Sequence, residues 1–257
     1  MRAARTFERM RVIVALISKA LFLGLLGAAA GLHPVIASAE AVYQDAQSQR
    51  ASEPEPALLR PKRANFEKAR ASAEVRRMAD WIVDSGDSHD MPFVLVDKKG
   101  AKVYVFHADG RLRGVARALL GLAVGDDSVP GIGERKLASI LPEERTTPAG
   151  RFVASMDHNL HGGDILWVDY EGAISLHPVI TSNLKERRAQ RLATPTPLDK
   201  RISYGCINVP AAFFKNVVSI AFKSTSGIVY VLPETRPAQT VFHSYSVDER
   251  ESSLAHR

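Results

Sequence analysis

Between Phe93 and Leu232 the chain keeps breaking into short runs of Val, Ile, Leu, Phe and Tyr separated by turn residues. No other feature restricts the fold as much, because such runs, bounded by Gly, Asp, Asn and Pro, are strands and turns rather than helices. Phe93-Val94-Leu95-Val96 and Val103-Tyr104-Val105-Phe106 are joined across Lys99-Gly100, and Asp109-Gly110 turns the chain into a third run over Leu112–Val115. Further runs lie at Arg151–Ser155, Ile165–Tyr170, Ala173–Val179 and Gly227–Leu232. Upstream the period changes: Phe66, Ala69, Ala73, Met78 and Ile82 recur at helical spacing, and Ser85-Gly86-Asp87 stops them. The expected fold class is mainly β with flanking helices (α+β), with one domain over 88–235 and a helix over 64–87 packed on it. The glycine- and proline-rich stretch from Gly125 to Pro148 has no periodicity and reads as a long functional loop.

The flanks read differently. Arg2, Arg5, Arg9 and Arg11 precede an apolar run over Val12–Leu32, and Ala37-Ser38-Ala39 supplies a small-residue cleavage site. Residues 1–39 therefore read as a signal peptide, which places the mature chain outside the cytoplasm, in the periplasm or cell envelope. Left uncleaved, the run would be a membrane anchor, the one route to a membrane association. Residues 40–63 are polar and proline-punctuated, a linker, and 236–257 are rich in Ser, Glu and Arg, a disordered tail. Of the +6 formal charge, +4 belongs to the signal, leaving 29 basic against 27 acidic residues, too even a balance to argue for nucleic acid.

The stretch Arg201-Ile202-Ser203-Tyr204-Gly205-Cys206-Ile207-Asn208-Val209-Pro210 holds the only cysteine of the 257 residues. A lone thiol in an exported chain has no disulfide partner and calls for another explanation. It is either a buried small hydrophobe in a tight turn or a nucleophile on a strand-to-helix turn. On the second reading Pro210 opens a helix whose dipole favours thiolate at Cys206, and Gly205 lets amides approach an oxyanion. A cysteine nucleophile needs a base within reach. Of the eight histidines, position along the chain leaves His158, His161 and His177. His177 ends a strand run ahead of Pro178. The histidines in Asp157–Asp164 also have metal-ligand character, but the glycines there favour a turn, and no metal or cofactor is expected.

One more segment, Thr146-Thr147-Pro148-Ala149-Gly150-Arg151-Phe152, completes a pattern. Thr-Pro-x-Gly-x-Phe, a strand ending in histidine, then Ser-x-Gly-Cys-hydrophobic-Asn resembles the catalytic domain of the L,D-transpeptidases, the YkuD-like fold. The resemblance spans roughly residues 92 to 234 and implies an L,D-transpeptidase-like mixed β-sandwich. It also implies a cysteine acyltransferase of bacterial cell-wall biogenesis and cell shape. Its substrates would be peptidoglycan stem peptides, and carbapenems would acylate it. Cys206 matches the family's nucleophile and His177 its base, while Ser203, Gly205 and Asn208 match the rest of the motif. The Gly205 and Cys206 amides match its oxyanion hole. Two departures stand out: Tyr204 replaces the motif histidine, and the gap over Pro178–Ile202 is longer than usual. That gap holds Arg188 in a basic, short helical segment, read either as a solvated face or as a lid holding peptide carboxylates. His161 is a further candidate to line the cleft. Hydrolysis on the same site (an L,D-carboxypeptidase or endopeptidase), a non-catalytic peptidoglycan-binding protein and a redox thiol are the competing expectations.

Overall fold

The computed structural model describes residues 60–256; the expected signal peptide (1–39) and residues 40–59 of the linker lie outside the described residues. A helix α1 (Ala73–Ser85) leads into β1 (Phe93–Asp97), β2 (Lys102–Phe106), β3 (Leu112–Arg117) and the short β4 (Leu120–Gly121). Then come β5 (Gly150–His158), β6 (Asp164–Asp169), β7 (Ile174–Pro178), α2 (Arg188–Ala193), β8 (Arg201–Ser203) and β9 (Ile207–Val209). The chain continues through α3 (Ala211–Phe213), a π-helical turn (Phe214–Val218) and α4 (Ser219–Ala221) to β10 (Gly227–Val231). It closes with α5 (Ala238–Phe242) and α6 (Val247–Ala255). The class is mainly β with flanking helices, as the sequence pattern implies.

Eight strands form one mixed sheet in the order β3-β2-β1-β10-β5-β6-β7-β9, while β4 and β8 pair separately. Only β1 with β10 and β7 with β9 run parallel within the large sheet. β5 changes partner along its length: its first half pairs with β10 and its second half with β6. A strand that switches partners turns a corner between two halves of a sheet. Both halves feed one core, in which Val94, Val96, Val103 and Val105 meet Leu166, Leu176, Ile207 and Val209. Phe214, Val218 and Phe222 cover that core from the helical side.

Because side chains alternate across a strand, β1, β2 and β10 build a second core on their other face. Phe93, Leu95, Tyr104, Phe106 and Tyr230 point there and meet Val75, Met78 and Ile82 of α1. Branched aliphatics thus line one face and mostly aromatics the other. Helix α1 starts later than its periodicity suggests, because Ser72 caps it by accepting a hydrogen bond from the Val75 amide. Asn65, expected inside the helix, instead bridges to Arg111 beside β3.

The tail is a correction to the sequence reading. Residues 236–257 were expected to be disordered, yet α5 and α6 fold onto the second core and bury Ala238, Phe242 and Val247. The Phe242 ring lies edge-on to Tyr230 at 6.0 Å, and Tyr245 and Arg250 both reach Asp84 of α1. Three well-placed apolar residues suffice to hold an otherwise polar segment. Among the described residues no helix is long and apolar enough to cross a membrane. Phe242→Ala is expected to cost about 3 kcal/mol in denaturant unfolding; an unchanged midpoint would mean that the tail is not part of the fold.

Candidate functional site

Cys206 stands in the tight turn between β8 and β9, and the turn is built around Gly205. Gly205 has φ +128°, and a Cβ there would sit 2.6 Å from Ile174 Cδ1 and 2.7 Å from the Thr146 carbonyl oxygen. Only glycine fits. Ser203 Oγ accepts the Gly205 amide at 3.1 Å and donates to the Cys206 carbonyl at 2.6 Å, which ties the turn from inside. The fully buried Thr147 holds it from outside: its hydroxyl accepts from the Gly121 amide at 2.9 Å and donates to the Gly205 carbonyl at 2.8 Å. In a trans peptide the N–H points opposite to the preceding C=O. Fixing the Gly205 carbonyl at Thr147 therefore turns the Cys206 N–H the other way, and that N–H has no partner among the described residues. The expected Gly205 donor is corrected: its N–H is already occupied by Ser203.

The thiol is surrounded by β7. Sγ lies 3.7 Å from Ser175 Oγ and 3.7 Å from the Ala173 carbonyl oxygen. Burial would raise the thiol pKa, but the neighbouring His177 and Ser175 together hold it below its ordinary value. The expected helix dipole is not the source. β9 stands between Cys206 and α3, and Pro210 is the N-cap residue rather than the first helical one.

His177 is oriented by what its ring touches. Nδ1 lies 2.8 Å from the Pro178 carbonyl oxygen, which only accepts, so Nδ1 carries the hydrogen and Nε2 is left as the basic atom. Asn208, one strand over in parallel register with His177, lies on the same face. Arg188 Nη1 donates to Asn208 Oδ1 at 2.7 Å, which fixes the amide's orientation because a guanidinium cannot accept. The Asn208 amide nitrogen then faces His177 Nε2 at 3.3 Å and donates to the Cys206 carbonyl at 3.2 Å. Arg188, mostly buried, also pairs with Glu186. It is a brace for Asn208, reached from the long gap after Pro178.

The Gly125–Pro148 stretch is three short 3-10 turns, and two contacts seat it beside the cysteine. The Arg145 guanidinium lies 3.9 Å from the centroid of the Tyr204 ring, a cation–π stack that occupies the side chain next to Gly205. Deeper down, the fully buried Lys98 ammonium donates to Asp126 Oδ1 at 2.8 Å and to the Gly125 and Thr147 carbonyls at 2.5 and 2.9 Å. Burial would raise the Asp126 pKa, but Lys98, the Thr235 hydroxyl and the amides of Glu234 and Thr235 hold it well below the carboxylate range. Burial in turn lowers the Lys98 pKa against those partners.

His161 is not brought to the thiol. It is exposed on the Asn159–Gly163 turn of the β5–β6 hairpin, where its amide donates to Asn159 Oδ1 at 2.9 Å. The neighbouring His158 pairs with Asp164 at 3.2 Å, and among the described residues no three ligating side chains are grouped for a metal. Ser175 was missed by the sequence reading, although its place two residues before His177 puts both on one face. Thr147 was noted only as part of a motif; its tie to Gly205 crosses 58 residues of sequence.

No family model and no curated protein matches the chain. Among solved structures, the helical cell shape determining protein Pgp2 from Campylobacter jejuni, in a mutant form, is similar at 17% identity and TM-score 0.39, over 68% of this chain and 59% of that one. An L,D-transpeptidase from Xylanimonas cellulosilytica is similar at 15% identity and TM-score 0.34, over 55% and 60%. The catalytic domain of the E. faecium L,D-transpeptidase is similar at 17% identity and TM-score 0.33, over 56% and 98%. The chain thus spans less than two thirds of the first two.

Two tests follow from this geometry. The rate of Cys206 alkylation by iodoacetamide is expected to rise with pH around a midpoint below that of a free thiol, and His177→Gln should move the midpoint upward. An unmoved midpoint would remove His177 from the thiol's surroundings. Thr147→Val keeps the volume but leaves the Gly121 amide and Gly205 carbonyl without the hydroxyl, and should cost about 2 kcal/mol by denaturant unfolding. Thr147→Ser should cost clearly less.

Proposed function

We propose that the chain is an exported peptidoglycan L,D-transpeptidase of the YkuD-like kind, working through a Cys206 thioester. The observation that carries this is that Asn208 bridges the backbone of the lone cysteine, at the Cys206 carbonyl, to His177 Nε2, while Nδ1 of the same imidazole is tied to the Pro178 carbonyl. The motif residues around that pair fit the same reading. Ser203, Gly205 and Asn208 all serve the turn or the base directly.

In the proposed reaction His177 Nε2 exchanges the Asn208 amide for the thiol proton, and the Cys206 thiolate attacks the carbonyl carbon between the L-centre of a stem-peptide diamino acid and a terminal D-alanine. The carbonyl electron pair moves to oxygen, and the outward Cys206 N–H stabilises that oxyanion. Collapse restores the carbonyl and expels the D-alanine amine, which takes the proton from the His177 imidazolium. The amine of a second stem peptide then attacks the thioester, gives its proton back through His177 and releases the thiol. Ser175 and Asn208 hold the reacting pair in place, and Arg188 holds Asn208. Tyr204 supports the neighbouring loop through Arg145.

Purified protein incubated with a carbapenem is expected to gain one adduct mass, and with donor and acceptor muropeptides to form L,D cross-links. Cys206→Ala should remove both, lowering turnover by at least about a thousandfold. Release of D-alanine without cross-links, with acceptor present, would make water the acceptor and the protein a carboxypeptidase. Binding of muropeptides with neither adduct nor turnover would make it a non-catalytic wall-binding protein.

A further inference from the structure

Away from the cysteine, a cleft of about 520 Å³ opens at the edge of β3. Arg70, Lys102 and Arg117 line it together with Val115, Leu192 and Phe213. Three cations over an apolar wall, with no carboxylate among the lining residues, is a specific combination. β3 is the outer strand of the large sheet, and past the Asn65 bridge at its start the cleft borders that edge.

The pairing register is an independent observation that points to an anion. Asp97, Lys102 and Arg117 stand in one row across β1, β2 and β3. Lys102 and Arg117 are directly opposed, and like charges opposite one another destabilise a sheet. Asp97 stands beside Lys102 on the inner side, but it is buried and accepts the Gly100 amide at 2.8 Å. Its single charge leaves Arg117 and Arg70 uncompensated. Two other exposed cations do have partners, Lys99 with Glu74 and Arg111 with Asp109. Among the described residues Arg70, Lys102 and Arg117 have none.

We infer that this cleft binds the phosphate monoester of an anionic amphiphile, with the dianion between Arg70, Lys102 and Arg117 and the apolar stem against Val115, Leu192 and Phe213. A dianion answers three converging cations better than a carboxylate does, and guanidinium forks match phosphate oxygens in pairs. The apolar wall gives the stem a place that inorganic phosphate cannot use. The cleft adjoins the catalytic elements: Leu192 lies on α2, which begins with Arg188, and the Pro210 that also lines it follows Asn208 by two residues. The inference stands independently of the proposed activity.

The test is calorimetric titration of the full chain with octyl phosphate, inorganic phosphate, octanoate and octyl glucoside. Octyl phosphate is expected to bind one to one, at least tenfold more tightly than any of the other three. Arg117→Glu and Arg70→Glu should each weaken it at least tenfold, Arg117→Lys should largely retain it, and Cys206→Ala should leave it unchanged. Arg117→Glu should also raise the thermal midpoint, because it turns an opposed pair of cations into an ion pair with Lys102. A site for phosphate alone, a merely greasy cleft that takes octyl glucoside equally, or unchanged affinity in both charge reversals would each overturn the inference.

Discussion

A buried ammonium organises the half of this molecule that holds Cys206. Lys98 follows β1 directly, is closed off from water and gives its hydrogens to Gly125, Asp126 and Thr147. Glu234, just after β10, stands 3.6 Å away and also accepts from the Gly125 amide and from Arg201 on β8. Segments from four distant parts of the chain therefore meet around one charge. Such a charge is costly to bury and more costly to strand; removing one partner of a buried pair typically costs about 3–5 kcal/mol. Its presence makes sense as a device that selects one arrangement of a loop with little apolar surface of its own. The Ile132–Glu144 turns bury only Ile132 and Ile140 among their apolar residues.

From that charge the constraint passes outward by ordinary hydrogen bonds. Lys98 holds the Thr147 carbonyl, the Thr147 hydroxyl holds Gly205, and Gly205 sets the direction of the peptide that precedes the thiol. The opposite wall reaches the same point by another route, through Arg188, Asn208 and His177. Cys206 and His177 are thus held by two braces that share no residue. Tyr204 belongs to the first brace, because its ring seats Arg145 and through it the loop.

Much of this was legible in the sequence, and what was not shares a physical cause. The strands of β1, β2, β6, β7 and β10 announce themselves because apolar side chains face both cores or alternate with polar ones. Cys206 and His177 were visible through chemistry and through the motif around them. The short strands β4, β8 and β9 were not, since three-residue ladders such as Arg201–Ser203 take their stability from neighbours rather than from composition. The helical tail was hidden because three apolar contacts, at Ala238, Phe242 and Val247, are too few to show as a period. The Thr147–Gly205 tie was invisible for a simpler reason: nothing local marks a threonine that acts 58 residues away.

The pairing of β1 with β10 has a consequence for how the protein acquires its shape. Phe93 pairs with Ile228, so the centre of the sheet waits for β10, the last strand among the described residues. Until then the β1–β2–β3 meander, whose contacts are local, carries an open inner edge, and β5 lacks the partner of its first half. Contacts this far apart in sequence slow folding, because the loop between them must be closed before they are made. A chain that emerges from its N-terminus would therefore hold an exposed, aliphatic strand edge for most of its passage, a stage at which chaperones and aggregation compete for it.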